Sequence, residues 1–196
     1  MPQDRTRKIV ITGVLGAISA FLGLTPLGFI VWGSVSLTLM HIPVIIGAVL
    51  EGPVVGLVIG LIFGLASMLR AAVAPNSPGD LLFLNPLIAV LPRLFIGPVA
   101  WLVFRALRKW PVAGWIGAGI AGALTNTALV LGMIGLLGSL GAIDIVSLMG
   151  EAFWPVIGSI FVANGLPEAA VSAVLVTAVL AAWTGIRVGR RQGSRV

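Results

Sequence analysis

The sequence predicts an all-α membrane protein with six transmembrane helices and both chain ends on the cytoplasmic side (N-in/C-in). Three observations lead there. Hydrophobic residues make up 59% of the 196-residue chain and charged residues 9%, with a mean hydropathy of +1.15, far outside the usage of soluble domains. Ten of the twelve cations gather beside apolar stretches, as Arg5, Arg7 and Lys8, then Arg105, Arg108 and Lys109, then Arg187, Arg190, Arg191 and Arg195. Finally, His41 to Arg70 reads as a helical hairpin, two apolar segments joined by the short polar turn Glu51-Gly52-Pro53.

The first span covers about residues 9–24. Gly13 and Ala17, and again Gly16 and Ala20, are small residues four apart, a surface through which helices in lipid approach closely. No small-residue cleavage site follows the basic N-terminus, so this span is read as retained rather than as a signal peptide. Thr25-Pro26-Leu27-Gly28 ends it, and residues 29–36 follow as an apolar loop. The second span, about 37–50, is short for a full crossing, so it begins inside a protein-lined cavity. The third, about 53–73, opens on Pro53, which suits a first helical position. Gly52, Gly56, Gly60 and Gly64 recur every four residues and predict a packing seam along one face.

A loop, Ala74 to Gly79, leads to the fourth span at about 86–107, interrupted at Pro92-Arg93 and Gly97-Pro98. The fifth runs from about 112 to 137, and a loop carrying Asp144 separates it from the sixth, about 155–186. The whole chain, 1–196, is read as a single integral membrane domain. With both termini and the loop between the fourth and fifth spans cationic, those three segments are assigned to the cytoplasm. The net charge of +6 therefore reports membrane orientation and not a nucleic-acid partner.

Composition also limits the chemistry. There is no cysteine and one histidine, and the six acids are scattered, so thiolate nucleophiles are excluded and no metal or catalytic cluster is expected. No G-x-x-x-x-G-K-[ST] is present, so this chain does not hydrolyse ATP through a P-loop. No cofactor is expected, and no carboxylate chain suggests an ion relay. A binder that borrows its energy fits better than an enzyme or a self-contained secondary carrier. A scaffold without a ligand is the remaining rival.

Polar side chains at bilayer depth are costly and therefore informative. Arg93, Asn126 and Glu168 each come out about 12 Å below the outer end of their spans at the helical rise. Asn164 and Glu168, i and i+4 on the sixth span, share a face. Arg93, Asn126, Asn164, Thr125 and His41 are the candidate ligand contacts, with Glu168 as the partner that orients Arg93. The structural alternative is that Arg93 and Glu168 neutralise each other while Asn126 bridges helices. Arg70, at the outer end of the third span, reads as a snorkelling interface anchor. His41, a lone histidine near the mouth, reads as core or loop packing slightly ahead of a ligand contact.

The blocks HIPVIIGAVLEGPVVGLVIGLIFGLASMLRA, LPRLFIGPVAWLVFRALRK, GALTNTALVLG and ANGLPEAAVSA resemble the substrate-binding (S) components of energy-coupling factor (ECF) vitamin transporters. The resemblance runs over about residues 9–186 and is closest to the pantothenate-type branch, with riboflavin, folate and other vitamin binders sharing the scaffold. It implies six helices, a vitamin pocket at the extracellular side, and coupling to a transmembrane T subunit and two cytosolic ATPases. It further implies that the small-residue face of the first helix meets the T subunit. There the family's usual alanine pair is replaced by Gly13/Ala17 or Gly16/Ala20. Two other departures are a short loop before Arg93 and Glu51 in place of an apolar residue. The resemblance implies a multi-pass protein of a prokaryotic cell membrane.

Overall fold

The computed structural model describes residues 2–32, 35–75, 78–143 and 153–193; Asp144 lies outside them. Helix α1 spans Pro2–Leu24. A β-hairpin follows, β1 at Phe29–Trp32 paired antiparallel with β2 at Val35–Thr38. Helices α2 (Ile42–Glu51) and α3 (Pro53–Val73) form the expected helical hairpin. Helix α4 is a single turn, Pro86–Ala89, and α5 runs Leu91–Ala106. Helix α6 is Pro111–Ser139 and α7 is Phe153–Ile160. A π-helical turn at Phe161–Gly165 joins α7 to α8, Leu166–Gly193.

Among the described residues, five helical stretches are long and apolar enough to cross a bilayer: Arg5–Leu24, Pro53–Val73, Pro86–Ala106, Pro111–Ser139 and Ile157–Gly185. This is a multi-pass membrane protein. Helix α2 is shorter, ten residues, about 15 Å at the helical rise and half of a hydrocarbon core. Its residues Ile42 to Ala48 are all buried, because α1, α3, α5, α6 and α8 surround it.

Prolines set the boundaries. Pro43, Pro53, Pro86 and Pro111 each stand in a first helical turn, where the missing N–H costs nothing and φ is already helical. Asn85 caps α4 by accepting from the Leu87 N–H at 3.0 Å. Inside the last membrane stretch, Pro167 cannot donate to the Ala163 carbonyl and its ring crowds it. The chain widens to the π turn immediately before that point, as such breaks commonly do.

The region read as an apolar loop and the start of the second helix is instead the β-hairpin, and α2 begins only at Ile42. The physical reason lies in the composition. Phe29 to Trp32 is aromatic and β-branched, and Val35 to Thr38 alternates apolar with hydroxyl side chains. Strand pairing also satisfies backbone groups where water is scarce.

The glycine stripe of α3 packs as expected, but over three residues rather than four. A Cβ on Gly56 would lie 2.8 Å from the Gly97 Cα, one on Gly60 2.2 Å from the Arg93 carbonyl oxygen, and one on Gly64 2.8 Å from the Val90 Cα. Helices α3 and α5 therefore touch backbone to backbone, the approach that only small residues permit. Gly52 has open space around it and a φ of 102°; it makes the turn between α2 and α3, a conformation glycine adopts without strain. Below the cavity the core is closed by Val44, Ile45, Ile59, Phe63, Ile96, Val176 and Leu180.

The side chain of Glu51, the unusual acid of the α2–α3 turn, is buried and pairs with Arg7 of α1 at 2.5 Å. It clamps the first helix onto the hairpin at the end where the cation clusters of α1 and α5 also lie.

Candidate functional site

At the opposite end of the bundle, α3, α5, α6, the π turn and α8 enclose a cavity of about 450 Å³, within the range of small-molecule sites. Its walls include Phe29 and Thr38 of the β-hairpin, Phe63, Ser67 and Arg70 of α3, and Asp80 and Phe83 of the segment before α4. Arg93, Asn126, Thr127, Asn164 and Glu168 complete its polar lining.

Arg93 is placed by its own neighbour. Pro92 has no N–H to give the Ile88 carbonyl, which would otherwise take the i+4 bond. The Arg93 Nη1 donates to that carbonyl at 2.5 Å instead. The guanidinium is then flanked by two aromatic rings, 5.1 Å from the Phe63 centroid and 4.9 Å from the Phe83 centroid, cation–π contacts that hold a charge without neutralising it. Its Nε is buried and has no hydrogen-bond partner. The Nε edge is one of the forks through which arginine takes a carboxylate bidentately.

Glu168 does not pair with Arg93. Among the described residues the two charges share the cavity without closing an ion pair. The Thr38 N–H donates to Glu168 Oε1 at 2.6 Å and the Thr38 hydroxyl bonds the same oxygen, while the Thr127 hydroxyl lies 3.3 Å from Oε2. Glu168 thus ties β2 to α6 and α8, a different task from the expected orienting of Arg93. Each charge has its own neutral partners, and so neither consumes the other.

Asn126 is buried against the cavity with its Oδ1 unpartnered, an acceptor available to a ligand donor. Asn164 reaches the cavity from the π turn. Thr125, next in sequence to Asn126, does not reach it. Its hydroxyl bonds back to the Ala121 carbonyl at 2.6 Å, and it lines a shallow outer groove with Phe95, Val99 and Leu129. His41 is fully buried, outside the cavity lining, with Nε2 2.6 Å from the Ser172 hydroxyl. It is a packed core residue that joins α2 to α8.

Thr38, Phe63, Arg70, Asp80, Phe83 and Thr127 line the cavity although sequence reasoning did not select them. Thr38 falls within the expected second helix, and the alternation of Val35 to Thr38 is the signal that could have placed it on a strand; Thr127 adjoins Asn126 in sequence. On α1, Gly16 is buried, and a Cβ there would lie 2.6 Å from Ile62 Cδ1. Gly13 has nothing within 4 Å of that position, and Ala17 is exposed while Ala20 is half-buried. The two small-residue pairs therefore face different ways.

An apolar helical bundle with a walled cavity, lined by a buried arginine with an unmatched donor and a buried asparagine with an unmatched acceptor, defines a membrane-embedded binding protein for a small polar molecule. The chain belongs to the family described as "ECF transporter, substrate-specific component", whose profile matches residues 7–180; that family consists of transporter components rather than enzymes. It is similar to the pantothenic acid transporter PanT of Lactococcus lactis subsp. cremoris, 30% identical over 203 residues that cover 95% of this chain and 98% of the relative. It is also similar to the pantothenate transporter PanT of Leuconostoc mesenteroides subsp. mesenteroides, 30% identical over 142 residues, 68% of this chain and 69% of the relative.

Proposed function

We propose that this chain is the pantothenate-binding subunit of an ATP-driven ECF uptake system in a bacterial cell membrane. The observation that carries the reading is the unmatched Nε of a buried Arg93 held by neutral partners. Pantothenate has one carboxylate for that fork, with hydroxyl and amide groups for Asn126 and Asn164. The names and bacterial sources of the relatives support the vitamin and the membrane.

The rest of the reading follows from family membership and helix direction. The 1–196 chain works as one membrane unit with α2 as its sixth, short membrane helix and both ends in the cytoplasm. The cavity then opens outward, since it lies at the end of α1, α5 and α8 away from the cation clusters. A transmembrane T subunit docks on the exposed Gly13/Ala17 face of α1, and two cytosolic ATPases supply the energy.

Isothermal titration of the purified chain with pantothenate, riboflavin and thiamin tests the substrate. Pantothenate binds the wild type, and Arg93→Ala weakens it by about 2–5 kcal/mol, much of it from stranding the ligand's charge. Heat from a neutral or cationic vitamin with none from pantothenate overturns the substrate assignment. Unchanged pantothenate affinity in Arg93→Ala overturns the role of Arg93.

A further inference from the structure

Two of the twelve cations stand apart from the clusters, Arg70 and Arg93, and both line the same cavity. We propose that Arg70 is a second ligand-facing cation, which reads the oxygen-rich hydroxyl end of the vitamin while Arg93 holds its carboxylate. The proposal rests on the pantothenate reading and adds the orientation of the ligand and a specificity-determining residue.

Position is the first argument. A snorkelling arginine extends its head into the interfacial water. The Arg70 guanidinium instead lies 4.0 Å over the ring of Phe29, at the foot of the β-hairpin and on the cavity wall. Stacking on a ring fixes the plane of the guanidinium while leaving its in-plane N–H donors unused. Among the described residues no carboxylate closes an ion pair on Arg70. The head is thus held in place without being neutralised, as Arg93 is by Phe63 and Phe83.

Spacing is the second. Arg93 sits over Phe63, and Arg70 follows Phe63 by two turns of α3, about 10 Å along the helix. From carboxylate to terminal hydroxyl, pantothenate is a chain of about eight bonds, roughly 9 Å when extended. One molecule can therefore reach from the deep fork to the rim cation. The rim end of the ligand carries hydroxyl and carbonyl oxygens, which accept from a guanidinium, and no cation that would be repelled by it.

The test is a cycle between protein and ligand variants. Isothermal titration uses the full chain as wild type, Arg70→Gln, Arg70→Lys and Arg93→Gln. The two ligands are pantothenate and panthenol, in which a primary alcohol replaces the carboxylate. Arg70→Gln weakens both ligands by a similar factor, about tenfold for loss of a charged hydrogen bond, because both carry the hydroxyl end. Arg93→Gln weakens pantothenate far more than panthenol. Arg70→Lys, which keeps the charge, recovers part of the lost affinity and guards against a folding defect in the glutamine variant. Wild-type affinity for both ligands in Arg70→Gln overturns the role of Arg70 and leaves the pantothenate reading intact. Loss confined to pantothenate in Arg70→Gln overturns the orientation, with Arg70 then on the carboxylate. A wild type that binds no pantothenate overturns the functional reading and this assignment together.

Discussion

The two ends of the bundle treat buried charge in opposite ways. At the end with the cation clusters, Glu51 meets Arg7 at 2.5 Å, and the charge of the α2–α3 turn is settled inside the protein. At the cavity end, Arg93 and Glu168 line one space and do not pair. Arg93 is held by a carbonyl freed by Pro92 and by two rings, and Glu168 by the hydroxyls of two threonines and one N–H. An ion pair satisfies a charge and fastens two elements together. Neutral partners position a charge and leave its field for a ligand. The difference separates a charge that fastens two elements from the charges on which the proposed binding role rests.

The largest expected effect comes from breaking the cavity end through its backbone. Gly60→Ala puts a Cβ 2.2 Å from the Arg93 carbonyl oxygen, and neither helix backbone can yield cheaply. Overpacking of this kind costs about 1–3 kcal/mol or more. Thermal unfolding in detergent should register that loss, and titration should show ligand affinity falling with it, because Arg93 moves with α5. A Gly60→Ala variant with wild-type melting and affinity removes the claim that the glycine seam sets the site.

The same contrast between closed and open can be sharpened along α1. Gly16→Leu collides with Ile62 and should lower the melting temperature, by about 1–3 kcal/mol equivalent. Gly13→Leu enters open space and should leave melting and ligand binding unchanged, yet abolish uptake once T and ATPase subunits are present. Normal uptake with Gly13→Leu would move the docking face elsewhere.

A smaller effect is expected where the charge is already settled. Glu51→Gln removes the ion pair with a half-exposed Arg7 and should cost about 1 kcal/mol of stability at most, with ligand affinity unchanged. A change in affinity would mean that the two ends are coupled. The smallest effect belongs to Thr125→Ala, whose side chain lines the outer groove and whose hydroxyl bonds back to its own helix. Both affinity and stability should stay within about 0.5 kcal/mol, whereas Thr127→Ala, one residue beyond Asn126, loosens the hold on Glu168.

Composition, cation clustering and apolar run length were enough to determine a multi-pass helical membrane protein, because the bilayer allows few other ways to bury backbone polar groups. The every-fourth-residue glycines of α3 were enough to predict its seam, since helical periodicity alone puts them on one face. The helical rise likewise put Arg93, Asn126 and Glu168 at a common depth. What the rise does not contain is rotation, the direction in which a side chain leaves a helix already packed among neighbours. Successive residues point about 100° apart, so Asn126 turns into the cavity and Thr125 into the outer groove, and Gly16 turns inward while Gly13 turns out. Nor does depth decide between competing partners. Arg93 and Glu168 look like a pair in sequence, and they stay apart because Pro92 frees a carbonyl for one and the β-hairpin brings Thr38 to the other. Those partners come from elements that meet only when the chain is folded, and it is the tertiary structure that assigned them.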